Sequence, residues 1–184
     1  MLNRSTVTMI WDVPKVRELV QEQLKGMKWM WKFDFVSMFW QIPLHKDSRK
    51  LFSFYAGEFG SYQFNRVAMC ALNSSMYTQQ MVTQMFRSVK RVDGKSLLGK
   101  GLLIQTDDVL LHAKSKREMI DILDWFLQVA ACHKMAIHPG SKCQLFVKST
   151  TFCGLRITRQ GITVDPERTQ GLRAMPLPKN LGDV

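Results

Sequence analysis

Apolar positions fall along the chain in short blocks separated by polar and glycine-containing breaks, and the period inside each block predicts its element. Pro14 to Leu24 reads as a helix: Pro14 suits the first turn, Val16, Leu19, Val20 and Leu24 mark one face, and Gly26 stops it. Trp29 to Leu44 is dominated by aromatic and apolar residues and reads as a strand that bends near Pro43. Leu51–Tyr55 and Ser61–Val67 read as two strands joined by a turn around Gly57 and Gly60. Leu72–Val89 has no Gly or Pro, and Met76, Gln80, Met81, Met85 and Phe86 recur at helical spacing. The stretch Asp93–Gly101 (DGKSLLGKG) reads as a loop.

Two short apolar runs, Leu102–Ile104 and Val109–Leu111, then enclose Gln105, Thr106, Asp107 and Asp108, a hairpin with acids at its turn. Ser115-Lys-Arg-Glu118 matches a capping box and opens a helix with Met119, Ile120, Leu123, Phe126, Leu127 and Ala130 on one face. Pro139-Gly140 ends whatever follows it. Thr150–Ile157 and Gly161–Val164 read as a last hairpin, and Pro166, Pro176 and Pro178 predict an extended tail. Antiparallel strands with helices on one face make an α+β domain.

Composition narrows the class. At 184 residues, the chain has the length of one domain. Its 46% hydrophobic and 22% charged residues exclude a disordered chain, a collagen-like chain and a coiled-coil rod. Lys and Arg number 26 against 15 Asp and Glu, a net charge of +11, which points to polyanionic partners: nucleic acid first, an acidic membrane second. A soluble protein with a basic surface satisfies the same arithmetic. No apolar run approaches the roughly 20 residues that span a bilayer, so no membrane partner is expected. No apolar signal segment opens the chain, and Cys70, Cys132, Cys143 and Cys153 form no C-x-x-C pair. Reduced thiols in the cytoplasm, the nucleus or a virus-like particle are therefore expected, not secretion.

The acids carry the chemistry. Asp34 lies within Trp31-Lys-Phe-Asp-Phe-Val36, where an unpaired carboxylate is costly to desolvate. Either it pairs with a base such as Lys32 or it binds a metal. Asp107 and Asp108 form either a plain polar turn or part of a site. The turn has no Gly, and its flanking runs look buried on both sides. Three carboxylates on neighbouring strands would make an oxygen-only site suited to Mg²⁺, and two such ions support an in-line displacement at phosphorus.

With those acids in place, Lys32-Phe-Asp-Phe-Val-Ser-Met-Phe-Trp-Gln-Ile42 resembles the "KLDLKSGYHQI" block of reverse transcriptases from gypsy-type retrotransposons and retroviruses. Further blocks follow in the same order. Phe59–Phe64 is similar to "FGHYEF", Leu72–Gln80 to "LTNAPATFQ", and Gly161–Glu167 to "GIRPDPEK". Asp107-Asp108 falls at the "Y-x-D-D" box, and Gly154 at the glycine of "FLGH". The resemblance spans nearly the whole chain, and the order and spacing of the blocks make it specific.

It implies a right-handed polymerase fold: fingers at about 1–30 and 45–70, palm at about 31–44 and 71–165, and a tail over 166–184 leading to a thumb. It also implies an RNA-directed DNA polymerase that transfers deoxynucleotides to a primer 3′-hydroxyl on an RNA or DNA template, with two Mg²⁺ or Mn²⁺ ions. Asp34, Asp107 and Asp108 match the metal-binding and catalytic aspartates. Phe39, Cys70, Ala71, Gln80 and Lys142 match the nucleotide site. Phe39 stands for an aromatic gate that favours deoxynucleoside triphosphates, although core packing explains the same residue. Phe152, Cys153, Gly154 and Leu155 match the start of the primer grip.

Departures from the pattern are Gln105 for the box Tyr, Cys70-Ala71 for Phe-Gly or Gln-Gly, Met38 for a small residue and Met76 for Pro. The chain opens where a "DYRKLN" block ends and closes before a thumb. This leads to the expectation of a palm with part of the fingers, the N-terminal fingers and thumb missing, cut from a polyprotein with RNase H and integrase. The isolated fragment is expected to be weak or inactive. The rival reading is a catalytically decayed or domesticated module that binds nucleic acid or acts as a scaffold. Two other patterns lack a necessary part. Gly94-Lys-Ser96 has Val89 where a phosphate loop needs its first Gly. Cys132, His133, His138 and Cys143 lack the C-x₂₋₄-C of a zinc finger.

Overall fold

A computed structural model describes residues 2–10, 16–24, 26–69, 71–90, 94, 96 and 98–174. Its main sheet has four strands: β1 (Trp29–Asp34), β4 (Leu102–Gln105), β5 (Asp108–Ala113) and β6 (Gln144–Val147), ordered β4-β5-β1-β6. The β1–β5 and β4–β5 pairs are antiparallel, with Asp34 opposite Asp108 and Gln105 opposite Asp108. Two smaller antiparallel sheets complete the strands. One pairs β2 (Ser53–Tyr55) with β3 (Ser61–Gln63). The other is the meander β7 (Ser149–Phe152), β8 (Leu155–Thr158) and β9 (Gly161–Val164).

Side chains alternate across the main sheet, so each strand feeds two cores. Trp31, Phe33, Ile104, Val109 and Leu111 face one side. There they meet Val82 and Phe86 of α4 (Ser74–Ser88) and Met119, Ile122, Trp125, Phe126 and Val129 of α5 (Lys116–Cys132). Phe126 stacks between Phe33, 5.2 Å away, and Phe86, 5.4 Å away. Met30, Leu103 and Leu110 face the other side, covered by Val20 of α1 (Val16–Gln23) and by Phe152 and Ile157 of the meander. Burial of each large side chain contributes on the order of 2 kcal/mol. The α5 start is the capping box: Ser115 Oγ accepts from the Glu118 N–H at 3.1 Å, and Glu118 Oε2 accepts from the Lys114 N–H at 2.8 Å.

Several elements differ from expectation. The strand from Trp29 ends at Asp34 instead of running to Leu44. Ser37 turns the chain at φ 44° into the short helix α2 (Met38–Gln41), and a second short helix, α3 (Lys46–Arg49), precedes the β2–β3 hairpin. The buried face of α4 carries Ser74, Thr78, Gln79, Val82, Thr83 and Phe86, with Met81 and Met85 half-buried against the same core. Of its polar members, Ser74 Oγ donates to Ala68 O at 2.7 Å, whereas the buried Thr78 Oγ1 has no hydrogen-bond partner among the described residues. In α5, Ile120 and Leu127 face solvent, while Ile122, Trp125 and Val129 are buried. The last hairpin is a three-stranded meander, and β6 is an added edge strand against β1. Pro166 opens a helix, α6 (Pro166–Ala174), because proline suits a first helical turn; Asp165 Oδ1 accepts the Glu167 N–H at 3.2 Å. Pro14, Pro176 and Pro178 lie outside the described residues.

Candidate active site

The acids sit at the end of the main sheet where the apolar cover stops. Alternation places Lys32 and Asp34 of β1 on the face that, farther along, carries Met30 beneath α1. Asp108 is the direct partner of Asp34 and shares that face. Like charges directly opposite each other destabilise a sheet unless they are neutralised. Two lysines do this: Lys32 Nζ lies 3.2 Å from Asp108 Oδ1, and Lys142 Nζ lies 3.1 Å from Asp34 Oδ2. Of the bases open to Asp34, the distant Lys142 is the one that pairs with it, while Lys32 pairs across the sheet with Asp108.

Asp107 occupies the two-residue turn between Gln105 and Asp108. Its carboxyl is pushed above the usual carboxylate range, first by partial burial and then by the neighbouring Asp108 and Asp34 carboxylates, against hydrogen bonds from the turn backbone. The Asp107 carbonyl also accepts the Phe35 N–H at 3.1 Å, which ties the turn to the end of β1.

No glycine serves this turn, and Thr106 takes the positive φ, 55°. A β-branched residue there is strained. Gln79, buried on α4, holds it in place. Its Oε1 accepts the Thr106 N–H at 2.6 Å, and its Nε2 donates to Ile104 O at 3.2 Å. Gln79 was not among the residues singled out from sequence. The available signal was a long amide on the helix face that also carries Val82, Thr83 and Phe86, since a buried amide requires partners. Gln41 was missed in the same way. Its amide donates to Val36 O and to Ala136 O at 2.9 Å, and its Oε1 accepts the Ala136 N–H at 2.6 Å.

Of the other candidates, Phe39 on α2 is half-buried and packs against the helix-side core. Ala71 lines a cavity of about 360 Å³ with Pro43, Leu44, Leu72 and Tyr77. Gln80 is half-buried on α4, one residue from the glutamine that reaches the turn. Cys70 lies outside the described residues. Lys142 joins the acids. Phe152 is 1% exposed within the meander core, and Leu155 pairs with it across the β7–β8 turn. Cys153 and Gly154 form that turn at φ 50° and 74°, the signature of a tight type I′ hairpin.

As donors, Asp34, Asp107 and Asp108 suit a hard divalent cation, and mutual carboxylate repulsion at Asp107 is what a cation relieves. Among the described residues, no three His, Cys, Asp or Glu are gathered closely enough to hold a metal ion. The zinc grouping around Cys132 and Cys143 is likewise not assembled. No helix among the described residues is long and apolar enough to cross a membrane.

Comparison with known proteins follows the same direction. Residues 2–157 match the family described as reverse transcriptase (RNA-dependent DNA polymerase). The chain is 24% identical over 177 residues to the retrovirus-related Pol polyprotein from transposon 412 of Drosophila melanogaster, covering 96% of this chain and 13% of that polyprotein. It is similar in fold to the foamy viral protease–reverse transcriptase in complex with ds DNA, with a TM-score of 0.79 and 20% identity over 98% of this chain and 30% of that one. The foamy viral protease–reverse transcriptase in complex with an RNA/DNA hybrid gives a TM-score of 0.77 and 19% identity, over 98% of this chain and 23% of that one.

Proposed function

Because the chain belongs to the reverse transcriptase (RNA-dependent DNA polymerase) family, whose members are nucleotidyltransferases, we propose that it is the palm and part of the fingers of a retroelement polymerase. It would extend a primer 3′-hydroxyl with deoxynucleoside triphosphates along an RNA or DNA template. The observation that carries this reading is the placement of Asp34, Asp107 and Asp108 at the uncovered end of strands β1, β4 and β5, which farther along pack apolar residues into cores on both faces. Asp34 and Asp107 would hold two Mg²⁺ ions, and Asp108, paired with Lys32, would support them from beside. When bound, these ions would activate the primer hydroxyl and stabilise the leaving pyrophosphate.

The residues of the chain have distinct tasks in this reading. The rigid β4–β5 hairpin presents Asp107, and Gln79 keeps its turn in the strained geometry. Phe39 would pack beneath the sugar of the incoming nucleotide, Ala71 and Gln80 would border the same pocket, and Lys142 would lie beside its phosphates. The Cys153-Gly154 turn would meet the primer terminus. The +11 charge suits a polyanionic template–primer. A longer polyprotein and a virus-like particle follow as the setting, by analogy with relatives of which this chain spans only a small share.

The test is primer extension on poly(rA)/oligo(dT) with Mg²⁺, by the chain carried in a longer polyprotein segment. We expect incorporation by the native sequence and a loss of about 10³-fold or more in Asp107→Asn. Incorporation that is absent in the native sequence, or unchanged by Asp107→Asn, overturns the proposal.

A further inference from the structure

Lys142 reaches the acids from a segment more than a hundred residues away from Asp34. The segment beneath it is pinned to the end of β1. The Val36 N–H donates to Ala136 O at 3.0 Å, Ile137 bridges Phe35, and the His138 N–H donates to Asp34 O at 2.7 Å. Gln41 grips both the N–H and the carbonyl of Ala136. The backbone of Lys142 is therefore positioned by the same strand that carries Asp34, while its side chain remains 59% exposed. Lys32 is different. It sits on β1 itself, its side chain is 22% exposed, and it pairs with Asp108 across the sheet.

A cation drawn to Asp34 and Asp107 would meet the ammonium of Lys142, 3.1 Å from Asp34 Oδ2. The Asp34 side chain is 19% exposed, so the approach is confined, and two positive charges cannot both stay at contact distance. The charge on the flexible, solvent-reaching arm leaves more cheaply, because an exposed ion pair holds only weakly.

We infer that Lys142 is a displaceable counterion of Asp34: without a divalent cation it neutralises the carboxylate that faces Asp108, and it is released when a cation binds. This rests on the reading of Asp34 and Asp107 as cation ligands. Lys142 is thus a positioning residue that offsets the charge of Asp34 opposite Asp108 in the folded sheet, and it sets a threshold for cation entry.

The test is Mn²⁺ titration of the 184-residue chain, read from the electron paramagnetic resonance signal of free Mn²⁺, with circular dichroism melts to establish that each variant is folded. Lys142→Met is expected to bind Mn²⁺ up to about fivefold more tightly at low salt. The gain should shrink at high salt, and Lys142→Arg should resemble the native chain. Lys114→Met removes a charge beyond the opposite end of β5 and should leave affinity unchanged. Affinity in Lys142→Met equal to or weaker than native, or an equal gain in Lys114→Met, overturns the inference while Asp34→Asn still weakens binding. Mn²⁺ binding that is indifferent to Asp34→Asn overturns the cation-site reading as well.

Discussion

Two hairpins of this chain carry apolar residues on either side of a turn, and they end in opposite environments. In β2–β3 every residue is exposed: Phe54, Tyr55 and Tyr62 are 46%, 76% and 51% accessible. Phe54 stacks on Tyr62 across the strands at 6.0 Å and tilts against Phe64 at 5.2 Å. In β4–β5, Leu102–Ile104 and Val109–Ala113 are all buried. The second hairpin lies between helices on one face and α1 with the meander on the other. Its turn is where charge can emerge, and the acids stand there. Local apolar content does not tell the two apart; what packs above and below the strands does. A buried hairpin is also a rigid one, which is what a pair of carboxylates needs in order to be held in one geometry.

The contrast can be tested by truncating one ring on each side of it. Phe126→Ala removes the ring stacked beneath the β1–β5 sheet and should cost about 3–5 kcal/mol in urea unfolding. Phe54→Ala in the exposed hairpin should cost less than about 1 kcal/mol. Equal losses would show that the exposed hairpin is packed against something after all.

His112 adds a pH dependence to the buried hairpin alone. It is 1% exposed on β5, and burial lowers its pKa from 6.5 to about 4. The folded chain therefore keeps it neutral, while the unfolded chain takes up a proton as the pH falls below 6.5. Its contribution to stability is complete above 6.5 and is lost progressively down to about 4, by up to about 3 kcal/mol. Unfolding measured across that window should show this slope, and His112→Gln should flatten it.

Gln79→Leu probes the turn of the same hairpin. It leaves the Thr106 N–H and the Ile104 carbonyl without their partner and should cost about 1–3 kcal/mol. If the turn positions Asp107, the variant should also raise the Mn²⁺ concentration needed for half-saturation. A stability loss with unchanged Mn²⁺ affinity would confine Gln79 to a structural role.

Much of the framework was legible along the chain. The β4–β5 hairpin follows from two apolar runs around polar residues, and the α5 start follows from Ser115 and Glu118, because both signals are local. The end of β1 was not, since it depends on Ser37 accepting φ 44° and on the His138 N–H pairing with Asp34 O. The buried face of α5 is not legible in the pattern, because Ile120 and Leu127 are as apolar as the residues that are buried, and only the sheet beneath selects among them. The meander looks like one hairpin along the chain because its first turn, Cys153-Gly154, lies inside an apolar run.

The acids of the candidate site were visible as residue types out of place: a carboxylate within an aromatic strand and two more in a glycine-free turn. Their partners were not. By itself the sequence determined the α+β class, the hairpin that carries Asp107 and Asp108, the capping of α5 and the basic surplus, all of which depend on composition or on residues a few positions apart. The tertiary structure alone decided that Lys32 pairs with Asp108, that Lys142 pairs with Asp34, and that Gln79 holds the turn. Ion pairs and buried amides act over a few ångströms of space, and only the folded sheet brings residues 27 and 108 positions apart within that range.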